Sequence, residues 1–162
     1  MKFSKNGFTL VELLIAIFII TIGIMGIYLA IPRILSSASL NATQFLASYL
    51  AQEGFEIVRN IRDTNWLQGK NWKEGLGNGD YIVQYNDSSL RDFGDIFLKI
   101  DDREESKGFY NCESGMESRF KRKITISSEG SDKLNITVEI TWPGKGGKTE
   151  SFIAKNNLYD WK

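Results

Sequence analysis

The sequence predicts an α+β fold in which one long N-terminal helix packs on an antiparallel β-sheet head. Residues 8–31 are almost uninterruptedly apolar, and apolar residues then recur at spacings of three and four to about Arg62, as in an amphipathic helix. Towards the C-terminus the spacing changes to strict alternation between turns. Alternation of this kind is typical of an antiparallel meander with one buried face. We expect that face to lie on the second half of the helix.

The composition fits one domain and excludes several classes of function. The chain has 162 residues, enough for one ordinary domain. Twenty Lys and Arg side chains balance twenty Asp and Glu side chains, so no net charge directs the chain to nucleic acid. The absence of His removes the commonest general base and metal ligand, and the single Cys112 excludes an internal disulfide or a cysteine-based zinc site. We expect no enzyme and no cofactor, and a small, partly buried thiol at Cys112.

The apolar N-terminal segment is long enough to span a membrane. Residues 8–31 comprise 24 residues with one charge, Glu12. As a helix this segment would measure about 36 Å, against about 30 Å for the hydrocarbon core of a bilayer. It is apolar all round, which favours lipid over a protein core. Lys2 and Lys5 precede it and Arg33 follows, a bias that predicts a cytoplasmic N-terminus and a head outside the inner membrane.

Three interpretations of this segment compete. A secretory signal peptide fits poorly, because the run is too long and ends in Pro32-Arg33-Ile34 without small residues for cleavage. A plain single-pass anchor fits the length but leaves Glu12 unexplained, since an ionised carboxylate inside an apolar span costs about 2.5–3.5 kcal/mol. The favourable interaction of Glu12 with the positive end of the helix dipole contributes only about 0.3–1 kcal/mol. This offsets the cost of burial only if Glu12 lies at the level of the lipid headgroups. The third interpretation is a leader that is cleaved before the apolar run.

The residues at the start of the segment carry a specific motif. The sequence KNGFTLVEL, from Lys5 to Leu13, resembles the leader junction of type IV prepilins and of the pseudopilins of type II secretion. The resemblance implies that a prepilin peptidase cuts after Gly7 and that Phe8 becomes an N-methylated N-terminus. It also implies that Glu12 pairs with the free amino group of a neighbouring subunit during assembly, which would give the buried carboxylate a partner.

The hydrophobic pattern divides the chain into a helix and a head, and the resemblance adds a leader and a role. Residues 1–7 would form the leader, residues 8–62 the helix, with 8–31 as its transmembrane or filament-core part, and residues 63–162 the head. The expected function is that of a structural subunit, a minor pilin or a pseudopilin, in a type IV pilus or type II secretion filament. Its partners would be the prepilin peptidase and N-methyltransferase, other pilin subunits and the membrane. The alternative is a stand-alone, single-pass envelope domain whose head binds a ligand or a surface.

Three residues within the helix weaken its helical propensity. Pro32 removes a backbone hydrogen bond, and an interior glycine such as Gly23 or Gly26 costs about 1 kcal/mol relative to alanine. Glycine and proline are common in membrane helices, and paired glycines also allow helices to approach closely. The other interpretation is a segment that bends or opens when the subunit moves from the bilayer into a filament. The sequence leaves both interpretations open.

Beyond residue 63 the sequence predicts a loop, two short strands, a polar loop and a meander. The predicted loop and strands are 64–80 (loop), 81–85, 96–100, 101–118 (polar loop), 120–126, 134–142 and 149–155, with turns at 129–132 and 143–147. We expect Trp142 and Trp161 to take part in core or edge packing rather than in stacking on a ligand.

One acidic and one basic cluster in the head are candidate binding sites. The acidic cluster comprises Asp101, Asp102, Glu104 and Glu105. Such oxygens suit Ca²⁺, but the EF-hand spacing is absent, and a solvated acidic loop is the preferred interpretation. The basic cluster comprises Arg119, Lys121, Arg122 and Lys123. Phosphate contacts need such charge, but we expect alternation to place the cluster on the exposed face of a strand, which argues against DNA as a partner.

Overall fold

The computed structural model describes Gly7 and residues 9–160. Most of the leader, Phe8 and Trp161 lie outside the described residues, so the predictions made for them rest on sequence. The chain divides into two compact units, Met1–Thr43 and Gln44–Lys162, and each is described by itself.

A single helix, α1, runs from Leu10 to Leu67. Thr9 precedes it as the N-cap: its Oγ1 accepts a hydrogen bond from the backbone N–H of Glu12 (3.3 Å), and its carbonyl accepts one from Leu13 (3.2 Å). This pattern satisfies donors that the first helical turn leaves free. The helix is continuous through Pro32, which lies inside it.

The helix continues beyond the expected end near Arg62, into the predicted 64–80 loop. Asn65 accounts for part of this extension, because it is buried and its side-chain amide donates to the carbonyl oxygens of Trp72 (3.3 Å) and Glu74 (2.8 Å). These bonds fold the following loop back onto the last helical turns. They depend on residues seven and nine positions further on, which helical periodicity does not reveal.

The described residues of the head form two antiparallel sheets. Their strands are β1 Gly79–Ile82, β2 Arg91–Asp92, β3 Lys99–Ile100, β4 Tyr110–Asn111, β5 Met116–Glu117, β6 Lys121–Glu129, β7 Lys133–Pro143 and β8 Thr149–Tyr159. A five-stranded sheet has the order β2-β1-β6-β7-β8, and a three-stranded sheet has the order β4-β3-β5. A short 3₁₀ turn, Lys145–Gly147, connects β7 to β8. The α+β fold class, with a long helix and an antiparallel head, is confirmed.

The long strands match their predictions better than the short ones. The β6–β7–β8 meander follows the predicted alternation, with register pairs such as Ile124 with Val138 and Ile140 with Phe152. The strand predicted at 96–100 is reduced to β3, and the predicted polar loop 101–118 contains β4 and β5. Two-residue strands are too short to show a period of two, so the sequence pattern did not reveal them.

The core of the head lies between the second half of α1 and one face of the five-stranded sheet. Val58 on the helix and Ile124, Val138 and Ile140 on the sheet are fully buried. Gly54 lies against the sheet at this point, and a Cβ built on it would approach Ile124 Cδ1 and Val138 Cγ1 to 3.3 Å. A glycine here therefore allows close packing of the helix on the sheet.

Trp142 is part of this core, as predicted. Its ring packs edge-to-face on Phe120, with 5.9 Å between ring centroids, a geometry favoured by aromatic pairs. Its indole N–H donates to Glu150 Oε2 at 3.1 Å. The side chain is 4 % exposed, so no open ring face remains for a ligand.

Candidate functional site

The predicted cleavage site lies just outside helix α1. Gly7 is exposed and has no regular secondary structure, and the helix begins three residues later at Leu10. Nothing lies within 4 Å of a Cβ built on Gly7. Hydrolysis of a peptide bond requires backbone that can enter a protease cleft, and backbone outside a helix meets this requirement without unfolding. Phe8, on the other side of the expected cut, lies outside the described residues.

Glu12 occupies the third position of the helix, where its carboxylate is exposed. Thr9 and Glu12 form the Thr-x-x-Glu pattern of a capping box, and the bond from the Glu12 N–H to Thr9 Oγ1 holds this turn in place. An acidic residue in the first turn also interacts favourably with the positive end of the helix dipole. Within the described part of the chain the carboxylate has no ion-pair partner. It is therefore positioned by its own helix but is open to a second molecule.

From Leu10 to Leu35 the surface of helix α1 is predominantly apolar on every side. Its exposed large apolar residues are Leu10, Val11, Leu13, Leu14, Ile15, Ile17, Phe18, Ile19, Ile20, Ile22, Ile24, Met25, Ile27, Tyr28, Leu29, Ile31, Ile34 and Leu35. Contiguous apolar surface of this extent is unfavourable in water and marks contact with a membrane or with other protein. By length and composition this is a helix able to cross a bilayer.

The predicted bend residues lie on this same stretch. Gly23 and Gly26 are three positions apart, which places them on one face of the helix, and a Cβ built on either would meet nothing within 4 Å. The helix continues through both and through Pro32. Their small size is therefore not required by packing within the first unit.

The acidic loop is organised by a buried carboxylate. Asp101 is 1 % exposed, and its oxygens accept hydrogen bonds from the Arg103 Nε–H (2.9 Å), the Arg103 backbone N–H (3.0 Å) and the Ser106 hydroxyl (2.8 Å). The hydrogen bonds from Arg103 hold the pKa of Asp101 well below its usual range. The prediction of a solvated loop is therefore wrong for Asp101. Among the described residues no cluster of three or more potential metal ligands is found.

The prediction that the basic cluster lies on an exposed strand face is wrong for Arg122, which is fully buried. Its Nη1 donates to Leu50 O (3.0 Å) and Glu53 Oε1 (2.9 Å), and its Nη2 donates to Val83 O. Alternation itself explains the burial, because Arg122 shares the buried face of β6 with Ile124. The guanidinium joins helix α1, strand β6 and the end of β1.

The two lysines beside Arg122 point away from the core and form ion pairs. Lys121 Nζ lies 2.8 Å from Asp95 Oδ2, and Lys123 Nζ lies 3.2 Å from Glu139 Oε2. Pairing with neighbouring carboxylates lowers the positive charge that this strand presents. A phosphate backbone would have to compete with those carboxylates.

Cys112 is the small, half-buried thiol that the sequence predicted. Its backbone N–H donates to Gln84 Oε1 at 3.1 Å, and its sulfur lies 3.6 Å from Val83 O. Burial raises the pKa of the Cys112 thiol above its usual value. Because the thiolate is the reactive form, this environment disfavours nucleophilic or redox chemistry.

The roles of two residues, Thr9 at the start of the helix and Arg122 in the head, were not predicted. Thr9 caps the helix that presents Glu12, and the Thr-x-x-Glu spacing was a signal for this role. Arg122 ties the helix to the sheet, and its position in the alternating pattern was the signal. Both signals were present in the sequence.

Comparison with known proteins identifies one match. Residues 2–28 match the family described as the prokaryotic N-terminal methylation motif. No curated protein and no solved structure matches the chain. The matched segment contains Gly7, Thr9, Glu12 and the first part of the apolar helix. The chain thus carries at its N-terminus the prepilin signature of type IV pilin-like proteins.

Proposed function

We propose that the chain is a structural subunit of a type IV pilus or type II secretion filament, as a minor pilin or a pseudopilin. It is cut after Gly7 by a prepilin peptidase, methylated on the new N-terminus Phe8, and built into the filament through its apolar helix. The observation that carries this proposal is the methylation motif at residues 2–28, at the start of a helix whose first part is exposed and predominantly apolar.

Cleavage would change the chemistry of the helix start. It removes Lys2 and Lys5, whose charges favour a cytoplasmic N-terminus, and it creates a free α-amino group on Phe8. Glu12 is then the acid available to that amine or to the amine of a neighbouring subunit. A carboxylate and an ammonium group that leave water together lose much less stability than either charge buried alone. Glu12 would thus act as an assembly residue.

The same apolar surface would serve two environments in succession. In the inner membrane, with the head outside, residues 8–31 are covered by lipid, and in the filament they are covered by the helices of other subunits. The bend residues Gly23, Gly26 and Pro32 support a helix that adjusts on this transfer, because each lowers the cost of a local opening. The head would then form the outer part of the subunit, with a structural rather than an enzymatic role.

Co-expression with a prepilin peptidase tests this function. We expect the intact mass of the protein purified from membranes to show loss of residues 1–7, with or without one methyl group on Phe8. The variant Gly7→Val should remain uncut, because a branched side chain replaces the glycine next to the cleaved bond. The control Gly26→Val makes the same change within the helix and should be cut normally.

An uncut chain would contradict the proposal, provided that a known prepilin is processed in the same cells. That result would favour the alternative, a stand-alone single-pass envelope domain with a ligand- or surface-binding head. A plain anchor would keep residues 1–7.

A further inference from the structure

Two residues of opposite charge lie on the first part of helix α1, far along the chain from other charged residues of the helix. From Phe8 to Gln52 the charged side chains are Glu12 and Arg33. Both are exposed, and within the described part of the chain neither has an ion-pair partner. The described residues of the first unit, Gly7 and 9–43, therefore carry one acid and one base on a surface that is otherwise apolar or uncharged.

These two residues cannot pair within one helix. They are separated by 21 positions, which is about 32 Å along a helix at about 1.5 Å per residue. At about 100° per residue they lie only about 60° apart around the axis, so both face nearly the same side. A second parallel copy of the helix, shifted by the same 21 positions and turned about its own axis so that the two charged faces meet, would bring Arg33 of one copy beside Glu12 of the other.

We propose that Arg33 of one subunit pairs with Glu12 of a second copy that is displaced by about 32 Å along the helix axis. This inference rests on the proposed function, because it requires parallel packing of identical helices, and it specifies the register of that packing. The occupant of the surface around Arg33 is thus the N-terminal turn of another subunit. The complementary charges of Arg33 and Glu12 are the reason for choosing this partner over any other.

The pairing is compatible with a role of Glu12 towards an N-terminal amine. A carboxylate has two oxygens with about four acceptor sites, so it can accept from an ammonium and from a guanidinium together. Arg33 leaves the headgroup region when the subunit leaves the bilayer, and in a bundle of apolar helices an unpaired guanidinium would be costly. Pairing in this register gives both residues a partner at once. Bending at Gly23 or Gly26 changes the distance in ångströms but not which residues meet.

Cysteine cross-linking within assembled filaments tests the register. In a Cys112→Ser background, the pair Ala16→Cys and Ser37→Cys lies one turn beyond the two charges and is also 21 positions apart. We expect oxidation, or a short bis-maleimide, to join successive subunits into a ladder of covalent oligomers. The matched control, Ala16→Cys with Ala30→Cys, lies on a similar face with an offset of 14 positions and should give no ladder.

Charge variants test the pair itself. Arg33→Gln should reduce filament yield roughly tenfold or more, in line with the loss of a buried ion pair, whereas Arg33→Lys should retain most of the yield. In a Glu12→Gln background, Arg33→Gln should cause no further loss. The two single Arg33 variants should be cleaved normally, because Arg33 lies far from Gly7.

Several results would overturn this register. A ladder from the 16/30 pair, no ladder from the 16/37 pair in filaments that form, or a normal yield with Arg33→Gln would each do so, while leaving the proposed function intact. An uncut wild-type chain that never enters filaments would overturn both.

Discussion

The two parts of helix α1 differ in what covers them. In residues 10–43 no described side chain is buried, although most are apolar. In residues 44–67 the apolar side is covered by the chain's own sheet, with Ala47 and Val58 fully buried. The backbone is helical throughout, so helical propensity does not distinguish the parts. What distinguishes them is what covers their apolar side chains: the second part is covered by the chain's own sheet, whereas the exposed surface of the first part is of the kind that contacts a membrane or other protein.

Charged residues show the same contrast. In the second part the charged side chains have partners within the chain: Glu53 with Arg122, Glu56 with Arg59, and Arg62 with Asp63. In the first part Glu12 and Arg33 have none among the described residues. The head completes its own ion pairs, whereas the first part of the helix leaves its two charges open to another molecule.

Alanine substitutions of Arg122 and Arg33 should give the largest difference in stability between the two parts. Arg122→Ala should destabilise the head by about 3–5 kcal/mol, because it leaves Glu53 and two backbone carbonyls without their buried donor. Arg33→Ala should leave the unfolding midpoint of the isolated subunit unchanged. Urea unfolding in detergent, followed by tryptophan fluorescence, measures both. Equal effects of the two substitutions would show that the first part already has cover within the subunit.

A second comparison places the same substitution in both parts of the helix. Gly54→Leu should cost about 1–3 kcal/mol by overpacking, since even a Cβ at Gly54 approaches Ile124 and Val138 to 3.3 Å. Gly26→Leu should cause no loss of free energy of unfolding in the isolated subunit, because nothing lies within 4 Å of a Cβ at Gly26. Leucine also has a higher helix propensity than glycine, by up to about 1 kcal/mol. The same urea titration tests both, and a large loss with Gly26→Leu would contradict the contrast.

The pH dependence of the head's stability tests the role of the buried Asp101 carboxylate. The pKa of Asp101 is lowered in the folded head, so its stabilising contribution is complete above its unfolded pKa of about 3.9 and is lost as the pH falls through the folded pKa. Wild-type stability should therefore decline from about pH 5 downward. Asp101→Asn should be less stable at neutral pH and show a shallower decline. An unchanged slope for Asp101→Asn would contradict this role of the buried carboxylate.

The smallest expected effect concerns a surface contact of the head. Lys73 Nζ donates to Ser128 Oγ and Gly130 O, both at 2.9 Å, and lies 5.0 Å from the centroid of the Trp72 ring. Lys73→Met should cost about 0.5–1.5 kcal/mol, the range for an ordinary hydrogen bond. Lys70→Met removes a lysine in a longer, exposed ion pair with Glu74 (3.5 Å) and should cost less. A reversed order would indicate that the Lys73 contacts do not hold the loop to the sheet.

Sequence reasoning recovered the long, periodic elements of the fold. Alternation across residues 134–142 identified β7 directly, and the apolar run identified the start of α1. It failed where structure depends on distant partners: Asp101 is buried because Arg103 and Ser106 fold over it. Arginine as a residue type predicts exposure, but the alternation of β6 places Arg122 on the buried face with Ile124.

The candidate site was more predictable than the head, because its information is local. Gly7 and Glu12 are marked by a short contiguous motif that needs no tertiary contact. The register in which subunits meet is not contained in that motif. The register proposed above rests on the spacing of Glu12 and Arg33 and on the pairing of the other charges along the described helix.

In the function proposed above, the apolar first part of the helix is covered by other subunits in a filament. The most direct measurement is mass spectrometry of filaments sheared from cells that express the chain, compared with the membrane fraction. We expect the chain in the filaments to begin at Phe8. Filaments that lack the chain, while the membrane holds it intact from Met1, would contradict the account.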